Sequence, residues 1–301
     1  MIVVLDIGGS RIRAARSAAP GQVAASGAWP TPGADFAEFV AVLQGALAGR
    51  AADGVALSIA GVVDPESGAI RVANIPCLDG RALAADLSLA LGCPVVVAND
   101  ADCFALAEAK DGAGAGQRVV FGVILGTGVG GGLVIGGRIH RSAGGFAGEW
   151  GHGPVLRTKV EDAAEVPHWR CGCGQWGCVD TVGGARGLER LDAHLNGGGR
   201  GSVAILAAWQ AGEVAAERTV RVWLDLVSAP LAMVVNVVGP SVVPVGGGLA
   251  NDRALVTALD RAVRARILRR VEAPLLVPAR HRIEPGLIGA SWLGFGELGL
   301  G

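Results

Sequence analysis

Three glycine clusters, each placed directly after a short apolar run, constrain the fold of this chain more than any other feature. They are Asp6-Ile-Gly-Gly-Ser10, Gly126-Thr-Gly-Val-Gly-Gly-Gly132 and Gly246-Gly-Gly248. Glycine lets backbone N–H groups approach and surround an anion, and the hydroxyl groups of Ser10 and Thr127 add further donors. One such cluster would be a common turn. Three at equivalent strand ends predict an α/β protein that binds phosphate groups at its glycine loops.

Two familiar phosphate-binding loops are excluded by the sequence. Residues 126–131 match the pattern G-x-G-x-x-G, but a dinucleotide-binding loop opens directly into a helix. The residues that follow, Gly132-Leu-Val-Ile-Gly-Gly-Arg-Ile139, predict a β-hairpin instead. A Walker A loop requires a Gly-Lys pair, and the chain contains none.

Apolar periodicity predicts two α/β halves, each of which begins with a strand, a glycine-rich turn and a second strand. The predicted strands are 2–5, 12–15, 22–28, 55–59, 94–98, 119–125, 131–135, 138–139, 242–245 and 275–278. The predicted helices are 34–49, 81–91, 100–110, 203–210, 213–238 with a kink at Pro230, 251–270 and 286–298. The segment 141–184 is predicted to form loops.

A flexible polar segment at residues 111–117 indicates a domain boundary. We therefore expect a smaller α/β domain at 1–115 and a larger one at 116–285 that carries the cysteine-rich loop. The C-terminal helix, within 286–301, is expected to join the smaller domain. The similar beginnings of the two halves suggest a duplicated fold with a cleft between them.

Charge and hydropathy argue against several classes of protein. A formal net charge of −1 is unlike a nucleic-acid-binding module, which would carry a basic stripe. The uncharged run of 19 residues at 119–137 approaches the length of a membrane span, but eight of them are glycine, which favours two strands and a loop. The N-terminus lacks the basic region of a signal peptide. We therefore expect a cytoplasmic protein with no membrane or nucleic-acid partner.

Three of the six cysteines, Cys171, Cys173 and Cys178, lie within eight residues of each other. Such clustering in a cytoplasmic protein indicates a metal site more often than a disulfide. A structural zinc site takes four nitrogen or sulfur ligands, so the three cysteines require one more. Both His152 and His168 lie close enough upstream to supply it.

Polar residues at three further places suit the recognition of a sugar. Asn99 and Asp100 lie where a predicted strand meets a helix, a position that binds ligands in α/β folds, although both residue types also cap helices. Glu149 and His152 are three residues apart, and Asp180 follows the last clustered cysteine by two residues. Asp100 could accept a proton from an attacking hydroxyl group, as the base does in phosphoryl transfer.

Together these motifs resemble the ROK family of repressors and sugar kinases, in the same order and over nearly the whole chain. The matching segments are Asp6-Ile-Gly-Gly-Ser10, Asn99-Asp-Ala101, Gly126-Thr-Gly-Val-Gly130, Glu149-Trp-Gly-His152, Cys171-x-Cys-Gly-x-x-Gly-Cys178 and Gly246-Gly-Gly248. The resemblance implies an actin-like (ribonuclease H-like) α/β ATPase fold of two domains with ATP in a central cleft. It also implies a homodimeric kinase that uses ATP and Mg²⁺ to phosphorylate the 6-hydroxyl group of a hexose or N-acetylhexosamine.

The resemblance assigns a role to each matching residue. Asp100 would be the general base that deprotonates the sugar hydroxyl. The sugar-binding residues would be Gly61, Asn74, Asn99, Asp100, Glu149, His152 and Asp180. The residues that hold ATP and Mg²⁺ would be Asp6, Gly8, Gly9, Ser10, Arg11, Gly126, Thr127, Gly128, Gly130, Gly247 and Gly248. The ligands of a structural Zn²⁺ would be His152, Cys171, Cys173 and Cys178.

Within the family, the segments point to more than one sugar. Residues 99–108, 122–128 and 170–175 look most like bacterial N-acetylglucosamine kinases, which makes that activity the first choice. Residues 111–117 and 147–152 look more like bacterial fructokinases. A glucokinase and a non-catalytic sugar sensor are further alternatives. A repressor is not expected, because the first phosphate strand begins at Ile2.

Three positions depart from the pattern of the family. Ser10 replaces a threonine and keeps the hydroxyl group, and Ala60 replaces a proline. Asp180 replaces a glutamate and is one methylene shorter. Because the glutamate contacts sugar hydroxyl groups in relatives, the change at Asp180 bears on sugar preference or affinity.

Overall fold

The computed structural model describes residues 1–47, 52–160 and 165–300, which form a mixed α/β fold. The strands are β1 (Ile2–Ile7), β2 (Arg11–Ala19), β3 (Gln22–Pro30), β4 (Val55–Ile59), β5 (Val62–Val63), β6 (Ile70–Arg71), β7 (Val95–Asn99), β8 (Val119–Leu125), β9 (Val129–Ile135), β10 (Arg138–Ile139), β11 (Val243–Gly246) and β12 (Leu276–Pro278). The α-helices are α1 (Phe36–Leu47), α2 (Leu83–Leu91), α3 (Asp100–Lys110), α4 (Asp180–Gly183), α5 (Ala185–Asn196), α6 (Ser202–Gln210), α7 (Val214–Val238), α8 (Arg253–Arg264) and α9 (Pro285–Glu297).

The first sheet has the strand order β3-β2-β1-β4-β7. Strand β2 runs antiparallel to both of its neighbours, β1 and β3. Strands β4 and β7 run parallel to β1, and their registers align Ile7 with Ile59 and Ile59 with Asn99. The three parallel strands therefore end at one edge of the sheet, and the first glycine loop and Asp100 follow them there.

The second sheet has the strand order β10-β9-β8-β11-β12. The uncharged run of 19 residues forms β8, a glycine loop and β9, which confirms the prediction made for it. Strand β11 runs parallel to β8 and aligns Gly246 with Ile124. Because parallel strands end at the same edge, the glycine loop after β8 and the glycine cluster after β11 lie side by side.

The chain folds into two compact units. The first contains Met1–Gly116, Gly132–Ala147 and His281–Gly301, and the second contains Gln117–Gly131 and Gly148–Arg280. In the first unit, α9 packs against α3, β1 and β4. Residues 132–147, which the sequence analysis assigned to the larger domain, belong to this first unit.

Helix α5 was not among the helices predicted from the sequence. Its buried residues include Leu188 and Leu191, which face α7 and α6 in the second unit. Glycines lie on both sides of this helix, at 183–184 and 197–199. They interrupt the apolar period that would otherwise indicate a helix.

The predicted helix 251–270 is too long at its C-terminal end. Helix α8 ends at Arg264, whose guanidinium group donates hydrogen bonds to the carbonyl oxygens of Val271 at 2.9 Å and Glu272 at 3.2 Å. These bonds require the chain to turn back towards Arg264 and therefore to leave the helix. The predicted end of the first helix, residue 49, lies outside the described residues.

Helix α7 has 25 residues and is long and apolar enough to cross a membrane by length and composition alone. However, 56% of its most apolar stretch is buried inside the protein, where it packs against α4, α5, α6 and α8. A buried core helix can have the same length and apolar composition. Pro230 lies inside this helix, which continues past it.

Candidate active site and metal centre

The end of β1 carries a partly buried carboxylate. Asp6 accepts a hydrogen bond from the Ser58 hydroxyl at 2.8 Å, and the Arg13 guanidinium lies 3.6 Å from its other oxygen. Burial raises the pKa of the Asp6 carboxyl, while the Ser58 hydrogen bond and the Arg13 charge oppose that rise. Ser58 follows from the register of β4, in which it pairs with Asp6, but no motif in the sequence indicated it.

The first glycine loop is a tight turn between β1 and β2. The N–H of Gly8 donates to the carbonyl of Arg11 at 3.0 Å, which closes the turn around Gly9 and the exposed Ser10. A Cβ atom on Gly9 would lie only 2.8 Å from Cβ of Asn74. The fold therefore brings Asn74 against the loop, and glycine is needed at this close approach.

The end of β7 orders a second group of predicted site residues. Asn99 caps α3: its Oδ1 accepts from the N–H of Ala101 at 2.8 Å, and its Nδ2 donates to the carbonyl of Gly61 at 3.0 Å. The exposed Asp100 accepts from the same Ala101 N–H at 2.9 Å. The capping role considered for this pair is therefore present, and it coexists with an exposed carboxylate at the sheet edge.

In the second unit, two glycine clusters meet. The loop after β8 is closed by the Gly126 N–H, which donates to the carbonyl of Gly128 at 3.0 Å. Gly247 has a φ of +89°, and a Cβ atom there would lie 2.6 Å from the nitrogen of Gly126. Among the described residues, the N–H groups of Thr127 and Gly128 have no hydrogen-bond partner. Gly130 follows within β9, and Gly248 begins a short 3₁₀ helix.

Four predicted ligands form a cluster that fits one metal ion. One ligand atom from each of His152, Cys171, Cys173 and Cys178 lies within 4.8 Å of the others. The Sγ atoms of Cys173 and Cys178 are 3.7 Å apart, and Sγ of Cys171 is 3.5 Å from Nδ1 of His152. Tetrahedral zinc with Zn–S bonds of ~2.3 Å requires sulfur atoms ~3.8 Å apart. The alternative ligand, His168, contacts the carbonyl of Leu156 at 2.7 Å instead.

The thiol groups in this cluster differ in acidity. Burial raises the pKa of Cys171 to about 12, and hydrogen bonds with the neighbouring thiols add to that rise. Burial would also raise the pKa of Cys173, but the Gln175 backbone and the two other thiols lower it to about 7. Metal binding needs thiolates, so an ion would have to displace protons from this cluster.

Glu149 and Asp180 lie beside the cluster. Oε2 of Glu149 is 3.6 Å from Nε2 of His152, the ring nitrogen that does not face Cys171. Burial raises the pKa of Glu149, His152 opposes that rise, and Asp180 adds to it. A carboxylate on the outer nitrogen of a metal-binding histidine fixes the ring orientation. The position of Glu149 is therefore suited to hold His152 in place.

Asp180 is turned towards the glycine loop. Its Oδ1 accepts from the N–H of Val129 at 2.8 Å, and its Oδ2 is 3.6 Å from Sγ of Cys171. A cavity of about 250 Å³ lies beside this contact, with Thr127 and Arg186 in its wall. Val129 lies within the glycine motif at 126–130 but had no predicted role, and Arg186 belongs to none of the motifs recognised in the sequence.

Comparison with known proteins gives the chain a family. The sequence matches the ROK family over residues 2–296. An N-acetyl-D-glucosamine kinase from Pasteurella multocida is 38% identical over 243 residues, which is 79% of each chain. A crystal structure of a ROK hexokinase from Thermus thermophilus has a TM-score of 0.84 at 32% identity and covers 100% of this chain and 99% of that one. A ROK family glucokinase from Streptomyces griseus, solved with glucose and AMPPNP, has a TM-score of 0.75 at 26% identity, with 97% and 98% covered.

The fold, with its glycine loops and its His/Cys cluster, is that of the actin-like sugar kinases. The chain belongs to the ROK family. These findings confirm the fold class and the family that the sequence motifs indicated. Because the relatives are named as kinases, they also support the expected enzyme class, a hexokinase-type phosphotransferase.

Proposed function

We propose that this protein transfers the terminal phosphoryl group of ATP to the 6-hydroxyl group of N-acetyl-D-glucosamine. The observation that carries the proposal is the end of β7, where Asn99 is held by its own hydrogen bonds and Asp100 begins α3 as an exposed carboxylate. The name of the Pasteurella multocida relative supports the choice of sugar.

In this proposal Asp100 is the general base. It accepts the proton of the 6-hydroxyl group while the sugar oxygen attacks the terminal phosphorus of ATP. The bond between that phosphorus and its bridging oxygen breaks, and ADP leaves with the electron pair. The carboxylate of Asp100 accepts a hydrogen bond from the N–H of Ala101 at the start of α3, which holds it in position to take the proton.

The glycine loops hold the phosphoryl donor. This role is assigned to Asp6, Gly8, Gly9, Ser10 and Arg11 around the first glycine loop. It is also assigned to Gly126, Thr127, Gly128 and Gly130 after β8 and to Gly247 and Gly248 after β11. The unpartnered N–H groups of the loop after β8 support this assignment, because such groups surround anions well. Asp6 offers the carboxylate oxygen that Mg²⁺ prefers, and the ion would neutralise phosphate charge there.

Sugar binding is assigned to the residues that the family resemblance implies for it, which are Gly61, Asn74, Asn99, Glu149, His152 and Asp180. The hydrogen bond from Asn99 to the Gly61 carbonyl supports their joint role, since it orients both groups before a ligand arrives.

Zinc in the cluster of His152, Cys171, Cys173 and Cys178 has a structural role in this proposal. These four residues would supply all the ligands of a tetrahedral ion, which is typical of structural sites, whereas catalytic sites keep one position open. The ion would hold the loop that carries Glu149 and Asp180.

The decisive experiment measures sugar-dependent ADP release with Mg-ATP. The sugars are N-acetylglucosamine, glucose, fructose, mannose and N-acetylmannosamine. We expect the highest kcat/KM with N-acetylglucosamine. A highest value with glucose or fructose would replace the sugar assignment, and sugar binding without turnover on any of the five would indicate a sensor.

The role of Asp100 has its own test. Asp100→Asn should lower kcat by about 10²–10⁴-fold while the sugar dissociation constant changes by less than about 3-fold. Asp102→Asn, two residues further along the same helix and about 200° around its axis, is the matched control. Unchanged turnover in the Asp100→Asn variant would refute the assignment of the base.

The proposal also includes a homodimer in the cytoplasm that takes a small-molecule sugar as its partner. Light scattering on the purified protein measures its mass in solution. A monomer mass at micromolar concentration would contradict the dimer and leave the kinase assignment intact.

A further inference from the structure

Asp180 makes contacts within the protein that differ from the sugar contact that the family resemblance implies for it. Its Oδ1 accepts a hydrogen bond from the N–H of Val129 at 2.8 Å. Its Oδ2 lies 3.6 Å from Sγ of Cys171, and its own N–H donates to the carbonyl of Gly151 at 2.9 Å. One carboxylate oxygen of Asp180 is therefore held by the backbone at the glycine loop.

The contact with Val129 falls where the second glycine loop enters β9. On its other side the loop is held by the first residues of α5. The N–H groups of Ala185 and Arg186 donate to the carbonyls of Gly126 and Thr127, at 2.8 and 3.4 Å. The loop is therefore held at both ends, and its remaining N–H groups keep a fixed direction.

Gly128 is fitted to this arrangement. A Cβ atom at Gly128 would overlap with Oδ1 of Asp180. The φ of Gly128 is not in the left-handed region, so the backbone conformation does not require glycine there. What requires glycine is the close approach of the Asp180 carboxylate.

We infer that Asp180 is a positioning residue for the phosphoryl donor, which orders the loop at 126–130 through the Val129 N–H. The inference rests on the proposed function, because it takes this loop to bind phosphate. It also explains the departure from the family pattern. A glutamate would carry its carboxyl group ~1.5 Å further along the chain, past the Val129 N–H.

The direction of the change in nucleotide affinity distinguishes this positioning role from an effect of the Asp180 charge. A carboxylate beside a phosphate site repels the phosphate, so loss of the charge alone should tighten nucleotide binding. Loss of the hydrogen bond should loosen the loop and weaken nucleotide binding. Asp180→Asn removes the charge and keeps an acceptor oxygen for Val129, whereas Asp180→Ala removes both.

The experiment measures three quantities in the zinc-loaded protein and its variants. Calorimetry gives the dissociation constants of AMPPNP with Mg²⁺ and of N-acetylglucosamine. Hydrogen exchange gives the protection of the peptide that contains Val129. The variants are Asp180→Ala, Asp180→Asn and Asp180→Glu. The control is Glu272→Ala, which removes an exposed carboxylate from the same unit.

For Asp180→Ala we expect AMPPNP to bind about 10-fold more weakly, which is about 1.4 kcal/mol, and the Val129 peptide to lose protection. Asp180→Asn should keep the protection of the Val129 peptide and should bind AMPPNP at least as tightly as the parent protein. Asp180→Glu should resemble Asp180→Ala, and Glu272→Ala should match the parent protein. Asp180→Ala should also weaken sugar binding, because Asp180 belongs to the proposed sugar site, whereas Glu272→Ala should leave the sugar affinity unchanged. Zinc content and thermal melting identify a variant that no longer folds. If Asp180→Ala is such a variant, the comparison of Asp180→Asn with Asp180→Glu tests the inference instead.

Three outcomes would overturn the inference. The first is unchanged or tighter AMPPNP binding in Asp180→Ala. The second is an equal loss in Asp180→Asn and Asp180→Ala. The third is a loss of sugar affinity with nucleotide affinity kept, which would return Asp180 to the sugar. Failure of the parent protein to bind AMPPNP at all would refute the proposed function instead, and the exchange of the Val129 peptide would still test the contact.

Discussion

Asn99 provides the sharpest test of how the fold supports the site, because one side chain makes two separable contributions. Its Oδ1 caps α3 through the N–H groups of Ala101 and Asp102, at 2.8 and 3.4 Å. Its Nδ2 donates to the carbonyl of Gly61 at 3.0 Å. Asn99→Ala removes both contributions, whereas Asn99→Asp keeps the cap and removes the donor.

The magnitude follows from these contacts. Loss of an Asn cap costs about 1 kcal/mol, and loss of the donor to the half-buried Gly61 carbonyl costs about 1 kcal/mol more. We therefore expect Asn99→Ala to lower the free energy of opening α3 by about 2 kcal/mol and Asn99→Asp by about 1 kcal/mol. In hydrogen exchange, 2 kcal/mol corresponds to about 30-fold faster exchange of the α3 amides.

The assay is hydrogen exchange resolved on α3, because a chain of two compact units need not unfold in one step. Peptides from α7 in the second unit serve as an internal control and should exchange at the parent rate. Two results would refute the reasoning. One is a loss below about 0.5 kcal/mol in Asn99→Ala, which is the lower limit for a cap. The other is equal destabilisation by Asn99→Ala and Asn99→Asp.

Two further predictions concern stability. Chelation of the metal should lower the Tm of the parent protein, because the ion binds the folded cluster, and should hardly change that of Cys178→Ser; an equal Tm with and without chelator would contradict this. Asp192 is buried, which by itself would raise its pKa, but hydrogen bonds from Arg200, Thr219 and Asn196 lower the pKa. The stability that the Asp192 carboxylate adds is therefore fully present above its pKa in the unfolded chain, about 3.9. It is lost as the pH falls through the lower pKa of the folded protein. Asp192→Ala should lower the free energy of unfolding by about 2 kcal/mol at pH 7, which is less than the ~3–5 kcal/mol for a fully buried ion pair. The loss is smaller because Arg200 is partly exposed and keeps Glu213 as a partner. Urea unfolding at pH 7 and at pH 3 measures the loss in the free energy of unfolding at each pH. A loss of the same size at both would contradict the predicted pH dependence.

Local pattern was sufficient for much of the fold. Helix α3 and strands β4 and β8 have the bounds that were predicted for them. In each of them an apolar run lies next to glycine or to a capping residue. Nearby residues therefore indicate both the type of element and where it ends. Helix α5 was missed for the converse reason, because glycines interrupt the pattern at both of its ends.

The metal centre was predictable in part. Three clustered cysteines indicated a metal, and the spacing allowed either His152 or His168 as the fourth ligand. Only the fold separates them: His152 lies in the cluster, and the ring of His168 is held by the Leu156 carbonyl. Distance along the chain does not report distance in space across a loop of this length.

By itself, the sequence determined the family, the positions of the glycine loops and the chemical types of the residues around them. Those properties are local, since an apolar run, a glycine cluster and a set of cysteines are each recognisable within ten residues. The tertiary structure decided what Asp180 contacts. Its partner is a backbone N–H that lies 51 residues away along the chain. Every residue type except proline supplies that same N–H at position 129, so the identity of residue 129 does not indicate the contact.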